Sequence, residues 1–441
     1  MTGGDRRTLW CELAWLGGDT PARGVLLAIA GDRLAEVTAD VAAPPAGAER
    51  RRGLTVPGLA NVHSHAFHRA LRGRTHVGGG SFWTWREEMY AVAAELDPER
   101  YLALATAVYA EMALAGVTVV GEFHYLHDGQ RTMGDALVEA ASRAGVRITL
   151  LDTCYLHGGI GRPRAGAQLR FGDASVAAWV ARNEARDLSS APHARHGAAI
   201  HSVRAVTPDE CAVVAAWAQD RQVPLHAHVS EQPAENEECL AAHGATPTGV
   251  LAGAGALHAR FTAVHATHVT DTDIRRLGAA GASIALCPTT ERDLADGVGP
   301  AAPLTAAGSR LCLGSDSHAV VDLFEEARAV ELGERSVTGQ RGLHPPAALL
   351  AAATENGWRA LGWDGGRLTA GAPADLVTVR LDSVRLAGTR PADAIGAVVF
   401  AAAASDVDTV TVGGRDVVVG GRHQLVDDVP AALATAIAAV S

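Results

Sequence analysis

Apolar and polar positions along the chain fall into two regimes. Residues 1–56 carry short apolar runs broken by turn residues, as in Gly24-Val25-Leu26-Leu27-Ala28-Ile29-Ala30 followed by Gly31-Asp32, and an Ala/Pro/Gly-rich stretch at 42–47. That pattern reads as short strands and turns. From Thr55 onward apolar β runs alternate with Ala/Leu/Glu-rich helical stretches, the mark of βα units around a parallel sheet. The β runs lie at 55–65, 117–125, 146–155, 198–206, 223–230, 261–269, 282–289 and 310–315, with helices predicted at 98–115, 134–144, 208–222, 238–254 and 271–280. Eight strands in this order predict an α/β fold of the (β/α)8 TIM-barrel type. Residues 345–361 read as a further helix, and Gly371-Ala372-Pro373-Ala374-Asp375 opens new strands that include 407–412 and 416–419. The expected organisation is a catalytic barrel at 57–367 and a small β-sandwich domain built from residues 1–56 and 368–441. Two long inserts, 66–96 and 157–196, are placed as functional loops on the C-terminal face of the barrel.

Composition narrows the chemistry. The 441 residues are 48% hydrophobic and 20% charged, values of a globular protein with ample core. No apolar run has the length of a membrane span and the first residues lack a secretion signal, so a cytoplasmic protein with no membrane association is expected. A net charge of -11 and a pI near 5.9 argue against nucleic acid as a partner, and an anionic substrate would need local arginines. The six cysteines show no C-x-x-C spacing and read as reduced core residues. The chain contains no lysine: all 38 basic residues are arginine. That removes Schiff-base chemistry, Walker-type phosphate binding and any metal pair bridged by a carboxylated lysine.

In a barrel, catalytic residues sit where strands end. The first run breaks into His63-Ser64-His65, and residues two apart on a strand share a face. The fifth ends in His228 and then Glu231, the sixth carries His265, and the eighth ends in Gly314-Ser315-Asp316-Ser317-His318. Singly, each reads as a hydrogen-bonded core histidine or a loop-capping aspartate. Together, His63, His65, His228 and Asp316 suit one Zn²⁺, with Glu231 as a proton carrier. His226 and His268 are assigned structural roles, and Cys287 is not taken as a ligand.

These motifs resemble the amidohydrolase superfamily over most of the chain. The segments His63-Ser64-His65-Ala66-Phe67, Trp85-Arg86-Glu87-Glu88-Met89-Tyr90, Glu122-Phe123-His124-Tyr125, His201-Ser202-Val203-Arg204, His228-Val229-Ser230-Glu231-Gln232 and Val264-His265-Ala266-Thr267-His268 resemble the formimidoylglutamate deiminase family within it. The resemblance implies a homodimeric enzyme of histidine degradation with one Zn²⁺ per chain, which hydrolyses N-formimidoyl-L-glutamate to N-formyl-L-glutamate and ammonia. It implies His63, His65, His228 and Asp316 as metal ligands, and Glu231, His265 and Asp316 as catalytic groups. Arg86 and Arg204 would hold the two carboxylates of the small-molecule dicarboxylate, with Tyr125, His201, Trp85 and His68 completing the pocket. Two positions depart from the family pattern: His68 stands where glutamine is usual, and Arg292-Asp293 where Ala-Asn is usual. The alternatives are another deaminase of the superfamily, acting on formimidoyl-aspartate, a purine or a pterin, or a barrel serving as a non-catalytic scaffold.

Overall fold

A computed structural model describes residues 6–76, 82–127 and 132–441; residues 1–5, 77–81 of the first insert and 128–131 lie outside it. Eight parallel strands stand side by side in chain order: Leu59–Ser64, Val117–His124, Arg147–Cys154, Ala194–Ile200, Leu225–Val229, Phe261–His265, Ser283–Leu286 and Arg310–Leu313. The eighth meets the first through two backbone bonds, Asp316 N–H to His63 O at 3.0 Å and His65 N–H to Asp316 O at 3.2 Å. Closure of the barrel and assembly of the predicted site therefore involve the same residues.

The strands of both chain ends hydrogen-bond into one mixed sheet, in which Leu376–Val379 runs antiparallel to Glu49–Pro57 and Glu49–Pro57 runs parallel to Arg6–Ala14. The single run expected at 55–65 is thus two strands, one in each sheet, separated at Gly58. A Cβ there would stand 2.1 Å from the Thr118 hydroxyl, so only glycine allows the chain to cross at this point. Asp375 ties the two sheets together: it accepts two bonds from the Arg147 guanidinium at 2.9 and 3.0 Å and one from Gly413 N–H at 2.9 Å.

The helix expected at 345–361 is broken at Thr354 into Pro346–Ala353 and Glu355–Ala360. The second piece seals the barrel interior from below. Trp358 is fully buried and donates its indole N–H to Gly58 O at 2.8 Å, and Gly357 lies so close to the first strand that a Cβ would meet that of Ala60 at 2.7 Å. Likewise the helix expected at 238–254 is two, Pro233–His243 and Pro247–Gly253, divided at Gly244 with φ +65°. The first insert carries the turn Ala66–Leu71 and helix Phe82–Glu95; the second carries Gly166–Arg170 and helix Val176–Glu184. Among the described residues no helix is long and apolar enough to cross a membrane.

Candidate active site

Strand ends build the site. His63 and His65 leave the first strand on one face, and their ligand atoms lie within 4.8 Å of each other and of His228 from the fifth. His63 Nε2 is 3.2 Å from His228 Nε2 and 3.4 Å from Asp316 Oδ1, and His65 Nε2 is 3.4 Å from the same oxygen. Four donors around a Zn²⁺ at 2.0–2.1 Å would stand about 3.3 Å apart, the edge of that tetrahedron. The His63–His228, His63–Asp316 and His65–Asp316 spacings are of that size.

Protonation agrees with spacing. His65 and His228 bond through Nδ1 to the carbonyls of Phe123 and His201 at 2.9 and 2.8 Å, which leaves each Nε2 with its lone pair facing inward. Burial pushes His63 down to about 3, in spite of Asp316, and lowers His65 and His228 as well, so all three imidazoles are neutral at physiological pH. For Asp316 burial works the other way, yet the bond to His63 and the charge of the protonated His265 hold its carboxyl well below the usual range. His63, His65 and His228 form a buried triplet that can hold a divalent metal ion, and Asp316 shares two further such triplets, one with His63 and His265 and one with His65 and His68.

The frame around these ligands is polar and ordered. Asp316 has φ +45°, and its loop is clamped by Asn61, which bonds Ser315 N–H at 2.9 Å and Ser315 Oγ at 2.7 Å, while His318 bridges Ser64 and Ser315 at 3.1 Å each. Glu122 of the second strand accepts from Ala66 N–H and Ser64 Oγ, both at 2.7 Å, and fixes the turn after His65; burial raises its carboxyl to about 7.

His265 ends the sixth strand at φ +66°, its Nε2 3.7 Å from Asp316 Oδ2 and 3.9 Å from Glu231 Oε1. Its Nδ1 faces Glu291 Oε1 at 3.3 Å. Burial alone would lower its pKa, but the carboxylates of Glu231, Glu291 and Asp316 outweigh burial and raise it to about 10, so the ring carries a proton. Glu231 is bonded by Arg204 at 3.3 Å, and its own N–H is held by Glu235 at 3.0 Å.

A cavity of about 290 Å³ opens over this centre, and every residue predicted for the site lines it except His63, which lies fully buried behind His228 and Asp316. Arg86 and Trp85 enter on helix Phe82–Glu95, with Arg86 Nε donating to the Tyr90 hydroxyl at 2.5 Å. His68 Nε2 lies 2.9 Å from the Tyr125 hydroxyl, and its ring stands 5.2 Å from that of Trp85. His201 packs edge-on against Tyr155 at 4.4 Å. His226 bonds Ala360 O in the plug and His268 bonds Asp296 O, so both are held by backbone away from the cavity. Cys287 is a buried thiol whose pKa burial drives well above its usual value. Arg292 of the second departure is tied to Glu325 at 2.9 Å outside the cavity. Glu235, Glu291, Glu122, Tyr155 and Phe171 complete the site without having been singled out from sequence.

The family model described as "Amidohydrolase family" matches residues 54–417. The chain belongs to the amidohydrolase family. As an amidohydrolase it is a hydrolase acting on carbon–nitrogen bonds, in a family that is typically metal-dependent. It is 39% identical over 423 residues to the formimidoylglutamate deiminase of Pseudomonas aeruginosa, covering 91% of this chain and 92% of that one. It is 31% identical over 375 residues to a 5-methylthioadenosine/S-adenosylhomocysteine deaminase of Natronomonas pharaonis, covering 83% and 81%. Among solved structures, an amidohydrolase from Brucella melitensis superposes with a TM-score of 0.91 at 35% identity, covering 98% of this chain and 99% of that one.

Proposed function

We propose that this amidohydrolase removes ammonia from N-formimidoyl-L-glutamate, leaving N-formyl-L-glutamate, as a cytoplasmic homodimer of histidine degradation with one Zn²⁺ per chain. One observation carries the reading: Arg86 and Arg204 line the same cavity as the metal-type donor cluster, so a dicarboxylate can be held with its amidine over the reactive centre. The similarity to the Pseudomonas aeruginosa deiminase supports it, and the absence of lysine supports a single metal.

His63, His65, His228 and Asp316 would hold the ion, which when bound acts as a Lewis acid and lowers the pKa of water toward neutrality. Asp316 would take the proton of the attacking water. His265, protonated and 3.7 Å from Asp316, donates to the tetrahedral centre as it develops. Glu231, between His265 and Arg204, carries a proton to the amidine nitrogen that leaves as ammonia. The C–N bond to that nitrogen breaks, and the carbon keeps the oxygen of water and its bond to the glutamyl nitrogen. The guanidinium groups of Arg86 and Arg204 match the two carboxylates in geometry as well as charge.

Ammonia release from N-formimidoyl-L-glutamate by zinc-loaded protein, with metal content measured alongside, tests the reading. Turnover with one zinc per chain is expected, and Arg86→Ala and Arg204→Ala should each raise KM by about 10- to 100-fold, the worth of one charge-assisted contact. No turnover at full zinc occupancy refutes the substrate; two metals per chain refute the mononuclear centre.

A further inference from the structure

The cavity is lined by a third arginine. Arg162 stands at its mouth, on the second insert, where Gly158 N–H bonds Arg162 O and Arg162 N–H bonds Gly159 O, each at 2.9 Å. Gly159 has no side chain where the guanidinium passes: a Cβ there would lie 2.7 Å from Arg162 Nε. The backbone of this loop is thus tied down, and the arginine lies across bare peptide. Its partner is Glu238 on helix Pro233–His243, whose two oxygens each stand 3.2 Å from Arg162 Nη2. The pair joins the two walls of the mouth.

The three arginines differ in what they can give up. Arg204 lies against Glu231 and Glu235, both buried, and withdrawing its charge would leave the fully buried Glu235 carboxylate without its counter-ion. Arg86 is engaged with Tyr90 on its own helix. Arg162 and Glu238 are the exposed pair, with 63% and 47% of their side-chain surface open to solvent. Such a pair contributes little, and a released Glu238 is received by water. Unlike Arg204, Arg162 can pass its charge to a ligand without leaving a buried anion behind.

Building on the dicarboxylate reading above, we propose that Arg162 is a specificity-determining residue that adds a third guanidinium, beside those of Arg86 and Arg204, at the outer carboxylate of the substrate, and that Glu238 occupies it until that carboxylate arrives. Glu238 acts as an internal competitor. The two halves of the pair then have opposite effects on ligand affinity, whereas a purely structural ion pair would give effects of one sign.

The test uses the full-length, zinc-loaded protein and its Arg162→Gln and Glu238→Gln variants. Calorimetry measures the binding of glutarate, a dicarboxylate, and of butyrate, which has a single carboxylate; KM for N-formimidoyl-L-glutamate is measured in parallel. Arg162→Gln should weaken glutarate about 10-fold, the range of a lost charge-assisted bond, and butyrate less than about 2-fold. Glu238→Gln should tighten glutarate by about 3-fold, the range of an exposed ion pair. The proposal is overturned if both variants weaken glutarate, if neither changes it, or if butyrate responds as strongly as glutarate. Opposite shifts in glutarate binding without turnover of the formimidoyl substrate would leave the Arg162 site standing and refute the activity. Turnover without opposite shifts would do the reverse.

Discussion

Arg182 gives the sharpest test of how the scaffold holds the cavity. It lies on helix Val176–Glu184 and donates four bonds: 2.6 and 2.7 Å to Asp152 on the third barrel strand, and 2.8 Å twice to Asp173 in the second insert. All three side chains are buried, and Asp152 is fully so. Two residues before Asp173, Phe171 packs against Tyr90, Tyr125 and Tyr155 at 5.2–5.5 Å and walls the cavity. Arg182→Met keeps most of the apolar stem and removes the charge, leaving two buried carboxylates with weaker support, among it Asn183 at 3.2 Å, Arg186 at 3.6 Å and His127 at 3.7 Å from Asp152. Breaking a buried pair in this way costs about 3–5 kcal/mol. At about 2 cal/mol/K of unfolding entropy per residue, this chain should melt about 3–5 °C lower.

The sign with pH follows from the same group. Asp152 is buried, but Arg182 and its neighbours hold its carboxyl well below the ordinary range. A carboxyl depressed in the folded state stabilises above its unfolded pKa of about 3.9, and that stability is lost as pH falls through the folded value. Without Arg182 the carboxyl takes up a proton more readily, so the defect of the variant should shrink as pH is lowered toward 4. Adding Asp152→Asn to Arg182→Met should recover more than half of the lost stability, since the stranded charge carries the cost. Scanning calorimetry of the two singles and the double measures this. A loss below about 1 kcal/mol for Arg182→Met, or a double variant as unstable as the sum of the singles, refutes the reasoning.

His226→Asn should retain the full metal content of the parent, because His226 bonds Ala360 O inside the barrel, whereas His228→Asn should lose it; equal metal loss by elemental analysis would overturn that division of roles. Burial holds His127 and His196 at about 4, below the ordinary imidazole value, so the unfolded chain binds two protons that the folded chain refuses as pH falls from 6.5 toward 4. Stability should drop by on the order of 1–2 kcal/mol per histidine at pH 5, and a His127→Asn/His196→Asn variant that kept the parent's pH slope in urea unfolding would contradict it. Asp375→Asn leaves the buried Arg147 half-paired at the junction of the two sheets and should cost about 2–4 kcal/mol without altering KM; a changed KM with unchanged melting would show that the junction acts on the site instead.

What could be read from sequence followed from periodicity. His63 and His65 share a face by strand parity, and His228 and Asp316 stand where apolar runs stop, so all four could be expected at one end of the barrel; the structure groups His63 with His65 and His228, and Asp316 with His63 and His265. The break at Gly58 was hidden because both halves of the run are apolar, and the Trp358 plug because its partners are tertiary. The unread part of the site has a common form. Glu235 accepts from the N–H of Glu231 at 3.0 Å, and Glu291 from the N–H of Cys287 at 2.8 Å, each reaching back four residues from the first turn of a helix that opens with proline. An acid in a first helical turn is ordinarily explained by the helix dipole, which is why neither stood out. Here the same placement also serves the site, because each carboxylate faces one of its charged groups, Glu235 toward Arg204 at 3.9 Å and Glu291 toward His265 at 3.3 Å. A glutamate within the first turn of a Pro-initiated helix, directly after a barrel strand, is therefore the signal that would have found both. Its physical basis is that the turn which caps the helix also points the acid back at the strand end.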